Sequence, residues 1–323
     1  MSNFGPQLKS LQIGRMPAKN LNELPLRTQS SPNFDLDAGF DTFDPKEGNE
    51  KLEILLKWCE KMAPNGGSLK KVLHGAQFVS WRGLLTKIGA TVYEQRDTWR
   101  FRALRVGDVI FLCEEETEQK KEHNANMGER DKHMTYWGFK FEQYMTLDDG
   151  MDIPETSTPV STREEFATVM RTSIENAQPG QKPLELLYSA EIDCLDRDGK
   201  YVELKTHKGD LRGWFWSGSK SLKWWLQSFL VAIDYLVVGH RTDQGIVTKV
   251  SSIRTDQLQK HSQWYGGACI RLISQVLTRI SEALKNDKEA CVVDFKGSQM
   301  IHISKCAVDS CDFIPDDFQR KFK

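Results

Sequence analysis

Two short stretches, Ala190-Glu191-Ile192-Asp193-Cys194 and Tyr201-Val202-Glu203-Leu204-Lys205-Thr206, alternate charged and apolar residues on either side of Asp196-Arg197-Asp198-Gly199. A period of two marks a half-buried strand, because successive side chains leave opposite faces of the backbone. Glu191 and Asp193 then share one face, with Ala190, Ile192 and Cys194 on the other. Glu203 and Lys205 likewise lie opposite Val202, Leu204 and Thr206. If Arg197-Asp198-Gly199 forms a three-residue turn with Gly199 left-handed, Asp196 pairs with Lys200. That register sets Asp193 opposite Glu203 and Glu191 opposite Lys205 on one face, and a one-residue slip would separate the acids. Three carboxylates so close repel one another and stay ionised only beside concentrated positive charge. Lys205 supplies one such charge, and hard divalent cations with oxygen ligands would supply the rest. The competing reading is a solvent-facing hairpin whose alternating charges carry no chemistry.

The rest of the chain gives this pair of strands a setting. Residues 1 to about 48, rich in Asn, Ser, Pro and Asp, read as an extended segment wrapping the body, with residues 1–30 outside a domain over 31–323. The spacing of Leu52, Leu55, Leu56, Cys59 and Met62 predicts a helix over about 48–62, stopped by Pro64-Asn65-Gly66-Gly67. Residues 98–113 read as a hairpin, and 114–133 as a solvated helix or loop. Ser161-Thr162-Arg163-Glu164-Glu165 is spaced like a capping box opening a helix with Phe166, Val169, Met170 and Ile174. A helix near 219–232, strands over 234–238 and 245–254, a long helix within 257–285 and a closing hairpin around Lys296-Gly297-Ser298 complete the pattern. With no internal repeat or linker, the expected fold is α+β: one domain with a large mixed sheet flanked by helices, a smaller second sheet, and a cleft between them.

Composition narrows the function classes. With 44 Lys+Arg against 45 Asp+Glu the formal charge is -1, which argues against holding nucleic acid by bulk charge but leaves room for a local basic groove. Seven scattered cysteines without a Cys-x-x-Cys pair predict free thiols in a reducing compartment. The start lacks an apolar signal core and no stretch is long enough to span a bilayer. The expectation is an intracellular protein, nuclear and/or cytoplasmic, with no membrane association and no stable oligomer.

Several catalytic motifs are missing. There is no His-Glu-x-x-His, Gly-x-Ser-x-Gly or Gly-x-Gly-x-x-Gly, and Ser219 stands where a phosphate-binding loop spaced by Gly213 and Gly218 needs Lys. Three other segments add to the acids. Read as an alternating segment, Gly138-Phe139-Lys140-Phe141-Glu142 offers a fourth acid, Glu142, on a face shared with Lys140 and Gly138. In Lys220-Ser221-Leu222-Lys223-Trp224-Trp225-Leu226-Gln227 the residues Lys220, Lys223 and Gln227 share one helix face. Ser80-Trp81-Arg82-Gly83 sets a guanidinium beside an aromatic, a pairing suited to phosphate or base. Each of these segments alone is more often plain surface.

Asp193 followed by Glu203-Leu204-Lys205 is similar to the arrangement of PD-(D/E)XK nucleases. More specifically, Trp81-Arg82-Gly83, the segments GFKFEQYM (138–145), AEID (190–193), VELKT (202–206) and LKWWLQSFL (222–230), and Gly239-His240-Arg241 occur in the order of the DXO family of decapping exoribonucleases and its fungal Rai-type relatives. The resemblance covers about residues 30–315. It implies an enzyme acting on RNA 5′ ends (capped, NAD-capped, 5′-triphosphate or 5′-monophosphate) with two Mg²⁺ or Mn²⁺ ions per site. Asp193, Glu203 and the Leu204 carbonyl would be direct metal ligands, and Glu191 and Glu142 would bind directly or through water. Lys205 and Gln227 would contact the attacking water and scissile phosphate. Arg82 would grip substrate phosphates, with Arg241 in support. The resemblance also admits a catalytically weak RNA-end-binding homologue, or a stabilising partner of another exoribonuclease.

Overall fold

The computed structural model describes residues 11–13, 17–28, 30–46, 48, 50–163, 165–213, 216–260, 262–297 and 300–322. Numbered in chain order, its helices are α1 (Leu24–Arg27), α2 (Glu53–Met62), α3 (Leu69–Val72), α4 (Arg82–Ala90), α5 (Glu118–Ala125), α6 (Glu129–Met145), α7 (Ser221–Phe229), α8 (Gly266–Ala283) and α9 (Asp316–Lys321). An eight-stranded sheet runs β1 (Leu11–Ile13), β8 (Ala167–Ile174), β9 (Leu184–Glu191), β4 (Phe78–Trp81), β6 (Val109–Glu115), β5 (Trp99–Val106), β14 (Ala290–Phe295), β15 (Ile301–Cys306). Strand β4 is parallel to both β9 and β6, and the remaining pairs are antiparallel, so the sheet is mixed.

The second sheet has seven strands: β3 (Phe34–Asp35), β13 (Ile246–Arg254), β12 (Tyr235–Arg241), β11 (Tyr201–Lys208), β10 (Cys194–Leu195), β2 (Asn20–Leu21) and β7 (Thr146–Leu147). Four of them are two residues long, which makes this the smaller sheet expected from sequence. Among the described residues before α2, β1 adds to the large sheet, while β2 and β3 add to the small one.

Helices cover both faces of the large sheet. On one, Leu84, Leu85 and Ile88 of α4 and Ile273, Val276, Leu277 and Ile280 of α8 pack on Phe78, Phe101, Leu186 and Val293. Burial of each such side chain contributes about 1.5–3 kcal/mol. On the other face α2, α3 and α9 cover Val79, Leu104, Phe111 and Leu187. The small sheet lies between α6, seated on Val202, Leu204, Val237 and Val247, and α7, seated on Leu236 and Val238. Helix α4 touches both α7 and α8. A Cβ on Gly89 would lie 3.2 Å from Ile273 and from Leu226, so glycine there lets α4 sit between the helices of the two sheets. No described helix is long and apolar enough to cross a membrane. All seven cysteines are free thiols, six of them buried.

Two segments differ from the sequence reading. The stretch after Thr162 leads into β8 rather than a helix; its expected capping residue Glu164 lies outside the described residues, as do Trp214, Phe215 and Ser298. Ladders to both β1 and β9 claim its backbone, and they outweigh the local preference. The stretch Gly138–Glu142 is helical, part of α6. Its every-other-residue aromatics mimic a strand because Phe43 of the N-terminal segment stacks on Phe139, at 5.8 Å between ring centroids. That contact part-buries a flank of the helix that would otherwise be polar.

Candidate active site

The acids meet where the chain passes from one sheet to the other. The expected register holds next to the turn: Gly199 has φ +74°, Asp196 N donates to Lys200 O at 2.9 Å, and Cys194 pairs with Val202. The pairing then stops. Instead of continuing opposite Lys205, Glu191 is the last residue of β9 and belongs to the large sheet, across from Ala167. The correction is physical: Ala190 and Ile192 are drawn into the core under α4 and α8, while Cys194 enters the core under α6. Asp193 stands at this crossover. Its Oδ2 accepts from Leu204 N at 2.6 Å. In an extended strand a residue's N–H and C=O project to the same side, so the Leu204 carbonyl also faces the open edge of β11.

Arg82 comes from the neighbouring strand. Strand β4 runs parallel to β9, with Trp81 opposite Ser189, so Arg82 and Glu191 emerge from adjacent carboxyl ends, where α/β sheets usually bind ligands. Arg82 Nη1 donates to Glu203 Oε2 at 3.4 Å and to the Gln227 carbonyl at 3.3 Å. Lys205 Nζ donates to Glu203 Oε1 at 2.5 Å. Glu203 itself is 1% exposed.

Electrostatics ties Glu142, on α6, to the same cluster. Burial, then Asp193 and Glu191, push its carboxyl well above the usual range. Burial and neighbouring acids, Glu165 first, raise Glu191 to about 8; burial and Glu203 raise Asp193 to about 7. Burial would raise Glu203 too, but Lys205 and Arg82 outweigh it and hold that group below its ordinary value. Lys205 is buried, which disfavours its charge, yet Glu203 and Asp193 raise its pKa.

Four carboxyls thus face two cations, with an all-oxygen donor set suited to a hard divalent cation. Donor chemistry and charge both fit a cation bound by Asp193, Glu203 and the Leu204 carbonyl, with Glu142 and Glu191 beside them. Among the described residues no three His, Cys, Asp or Glu side chains close on one point at metal-ligand spacing.

The other expected residues divide. Gln227 reaches the cluster through its backbone carbonyl. Lys220 lies farther along β11, its Nζ 3.3 Å from Thr206 O. Lys223 does not face the acids, since it pairs with Asp97 at 2.5 Å. Arg241 stacks on Trp137, its guanidinium carbon 4.5 Å from the ring centroid. In helical rather than strand spacing Lys140 leaves the face of Glu142; it is buried and donates to Gln143 and Thr156. Sequence reasoning missed Glu165, which sits near Glu191 because it leads into β8. Reading Phe166–Ile174 as a strand antiparallel to β9 would have placed it there.

The model of the RAI1-like PD-(D/E)XK nucleases matches residues 10–319. The chain belongs to this family. It is accordingly a hydrolase of the nuclease type, in a family of decapping nucleases whose cofactor is a divalent cation. Decapping nuclease dom-3 of Caenorhabditis elegans is 46% identical over 322 residues, covering 97% of this chain and 81% of that protein. The Drosophila melanogaster decapping and exoribonuclease protein Rai1 is 31% identical, covering 78% and 72%. Scheffersomyces stipitis Rai1 shares the fold with a TM-score of 0.77 at 19% identity, covering 99% of this chain and 98% of that one. Candida albicans Rai1, solved with pU5-Mn2+, superposes with a TM-score of 0.75 at 16% identity, covering 94% and 88%.

Proposed function

We propose that the chain hydrolyses the phosphodiester next to the first transcribed nucleotide of RNA, releasing incomplete, unmethylated or NAD-type caps or 5′ pyrophosphate, and then digests the body 5′ to 3′. The observation that carries this reading is the convergence of Glu142, Glu191, Asp193 and Glu203 with Lys205 and Arg82 at the junction of the two sheets. The pU5 and manganese of the Candida albicans structure support an RNA substrate and a divalent ion.

Asp193, Glu203 and the Leu204 carbonyl would hold the cations directly, with Glu142 and Glu191 binding directly or through water. Two Mg²⁺ or Mn²⁺ ions bound there supply Lewis acidity and a water of lowered pKa. Lys205, kept protonated by the acids around it, orients the attacking oxygen and takes up charge on the scissile phosphate. Arg82 is poised beside it, and on releasing Glu203 to a cation its guanidinium is free for a phosphate oxygen. Gln227 fixes Arg82 through its carbonyl, with its side-chain amide available for the phosphate. Arg241 supports the chain farther along.

Cleavage of 5′-triphosphate and NAD-capped RNA by Glu203→Ala and Asp193→Ala tests the reading. Both proteins should fold like wild type and lose turnover by about 10²–10³-fold. Wild-type rates in either would overturn the assignment.

A further inference from the structure

One of the seven cysteines differs from the rest. Cys59, Cys113, Cys269 and Cys291 are buried, and burial pushes their thiols up to about 12; it pushes Cys194 well above its ordinary value too. Such thiols hardly ionise, and the thiolate is the reactive form. Cys306 alone is part-exposed, and it has a second thiol beside it. It ends β15, the last strand of the large sheet. A short 3₁₀ turn, Val308–Ser310, then folds the chain back: Ser310 N donates to Ala307 O at 3.2 Å and Cys311 N to Val308 O at 2.8 Å. The Cys306 and Cys311 thiols thereby come within hydrogen-bonding reach of each other.

Register sets Cys291, the nearest other thiol on the paired strand, apart from them. Cys306 pairs with Ala290, and Cys291 with Lys305. Neighbours along a strand leave opposite faces, so Cys291 enters the core under α4 and α8 while Cys306 and Cys311 pack with α2, α3 and α9. Arg102 holds the turn between the two thiols: its guanidinium donates to Ser310 Oγ at 2.5 Å and to Glu115. Burial and then Cys306 push the Cys311 thiol up to about 11, against the pull of Arg102. Cys306, partly open to solvent, is therefore placed to react first, and Cys311 to close on it.

The residues after Cys311 cover one face of the large sheet. Asp312 pairs with Lys51 at 2.6 Å, and Phe313, Ile314, Phe318 and Phe322 are buried in the core that α2 and α3 share. Lys321 O accepts from Gly67 N at 3.1 Å. Helix α9 is six residues long, too short to hold its shape alone. It depends on this packing, and a covalent tie at Cys311 would limit how far the cover can open.

We propose that Cys306 and Cys311 are a reversible oxidation site, which hydrogen peroxide closes into a disulfide that staples the C-terminal cover to the last strand of the large sheet. The Cys306 thiolate attacks one peroxide oxygen and the O–O bond breaks. Hydroxide leaves, taking up the Cys306 proton as water, and Cys306 becomes a sulfenic acid. The Cys311 sulfur then attacks the Cys306 sulfur; the S–O bond breaks, and hydroxide departs with the Cys311 proton as a second water. Two thiols are oxidised by two electrons and one peroxide is reduced to two waters. A dithiol reductant reopens the pair through a mixed disulfide. The site is separate from the acids and does not rest on the function proposed above.

The test exposes the full chain, in Mg²⁺, to hydrogen peroxide, then unfolds it, blocks the remaining thiols with N-ethylmaleimide and digests it with trypsin. Cleavage after Lys305 and Arg320 puts both cysteines in one peptide, residues 306–320. That peptide should carry no label and weigh two hydrogens less than its reduced form, and dithiothreitol before blocking should restore both labels. The five other cysteines should stay labelled throughout. In Cys311→Ser, dimedone should trap a sulfenic acid at Cys306; in Cys306→Ser, Cys311 should keep its label. Circular dichroism melting checks that both variants fold, and the wild-type peptide decides the matter without them. In the disulfide form the amides of Gln319 and Phe322, hydrogen-bonded within α9, should exchange about ten-fold more slowly. A peptide that keeps both labels while glutathione in a parallel tube is consumed, or a cross-link from either cysteine to another peptide, would overturn the pair. Unchanged exchange in the disulfide form would overturn the staple.

Discussion

Replacing Lys205 by Met keeps the length of the side chain and removes its charge, and this should destabilise the protein measured in the presence of a chelator. Lys205 Nζ is 2.5 Å from Glu203 Oε1, and Glu203 is almost wholly buried. At an effective dielectric of about 20, two charges at that distance attract by roughly 6–7 kcal/mol. Burying the ammonium costs part of this, and breaking a buried pair from one side typically leaves a loss of about 3–5 kcal/mol. Glu203→Gln should behave differently. It removes the charge that most raises Asp193, so Asp193 can ionise and take over Lys205 and Arg82, and the loss should be smaller than that of Lys205→Met. Urea unfolding followed by tryptophan fluorescence, with EDTA or with Mn²⁺, reads both effects. A cation present at 100 times its dissociation constant adds about 2.7 kcal/mol to the native state, and it should recover part of the Lys205→Met loss by replacing the missing positive charge. If Lys205→Met unfolds at the wild-type midpoint, or if Glu203→Gln is the more damaging change, the charge balance described for the cluster is wrong.

Three further outcomes follow from particular contacts. Gly239 pairs with Thr206 beneath α6, and a Cβ there would meet Phe141 at 2.6 Å. Gly239→Ala should therefore cost about 1–3 kcal/mol by overpacking and, by shifting the helix that carries Glu142, lower nuclease turnover; melting and cleavage assays check both. Because Lys220 is brought from its ordinary value down to about 8 by burial, Arg241 and Lys205, its charge disappears as pH rises through that value. With Lys205, His207 and Arg241 facing it, KM for RNA should climb between about pH 7 and 9, and Lys220→Arg, which stays charged, should flatten that limb. Lys223→Ala should leave KM for RNA within two-fold of wild type, since an exposed pair such as Lys223–Asp97 is worth about 0.2–1 kcal/mol and holds the lysine away from the acids.

Much of the site was legible because Glu191 and Glu203 lie on strands, with Asp193 in the short crossover between them. Period-two alternation gave the shared faces, and the Asp196–Gly199 turn fixed the register that sets Asp193 beside Glu203. What could not be read locally was which sheet each stretch joins. Glu191 leaves the hairpin because the residues around it are claimed by cores on opposite sides of the crossover, a fact of topology rather than pattern. Glu142 was placed in the right cluster from the wrong element, since the cover over α6 comes from residues far earlier in the chain.

The central claim is that the acids form a cation-dependent site for cutting RNA at its 5′ end. Its most direct test is incubation of 5′-end-labelled triphosphate RNA with the purified chain in Mg²⁺ or Mn²⁺, with and without EDTA, beside Asp193→Asn. Release of a labelled 5′ fragment by wild type, lost both with chelator and in the variant, is the predicted result. Cleavage that survives EDTA, or equal cleavage by Asp193→Asn, would contradict it.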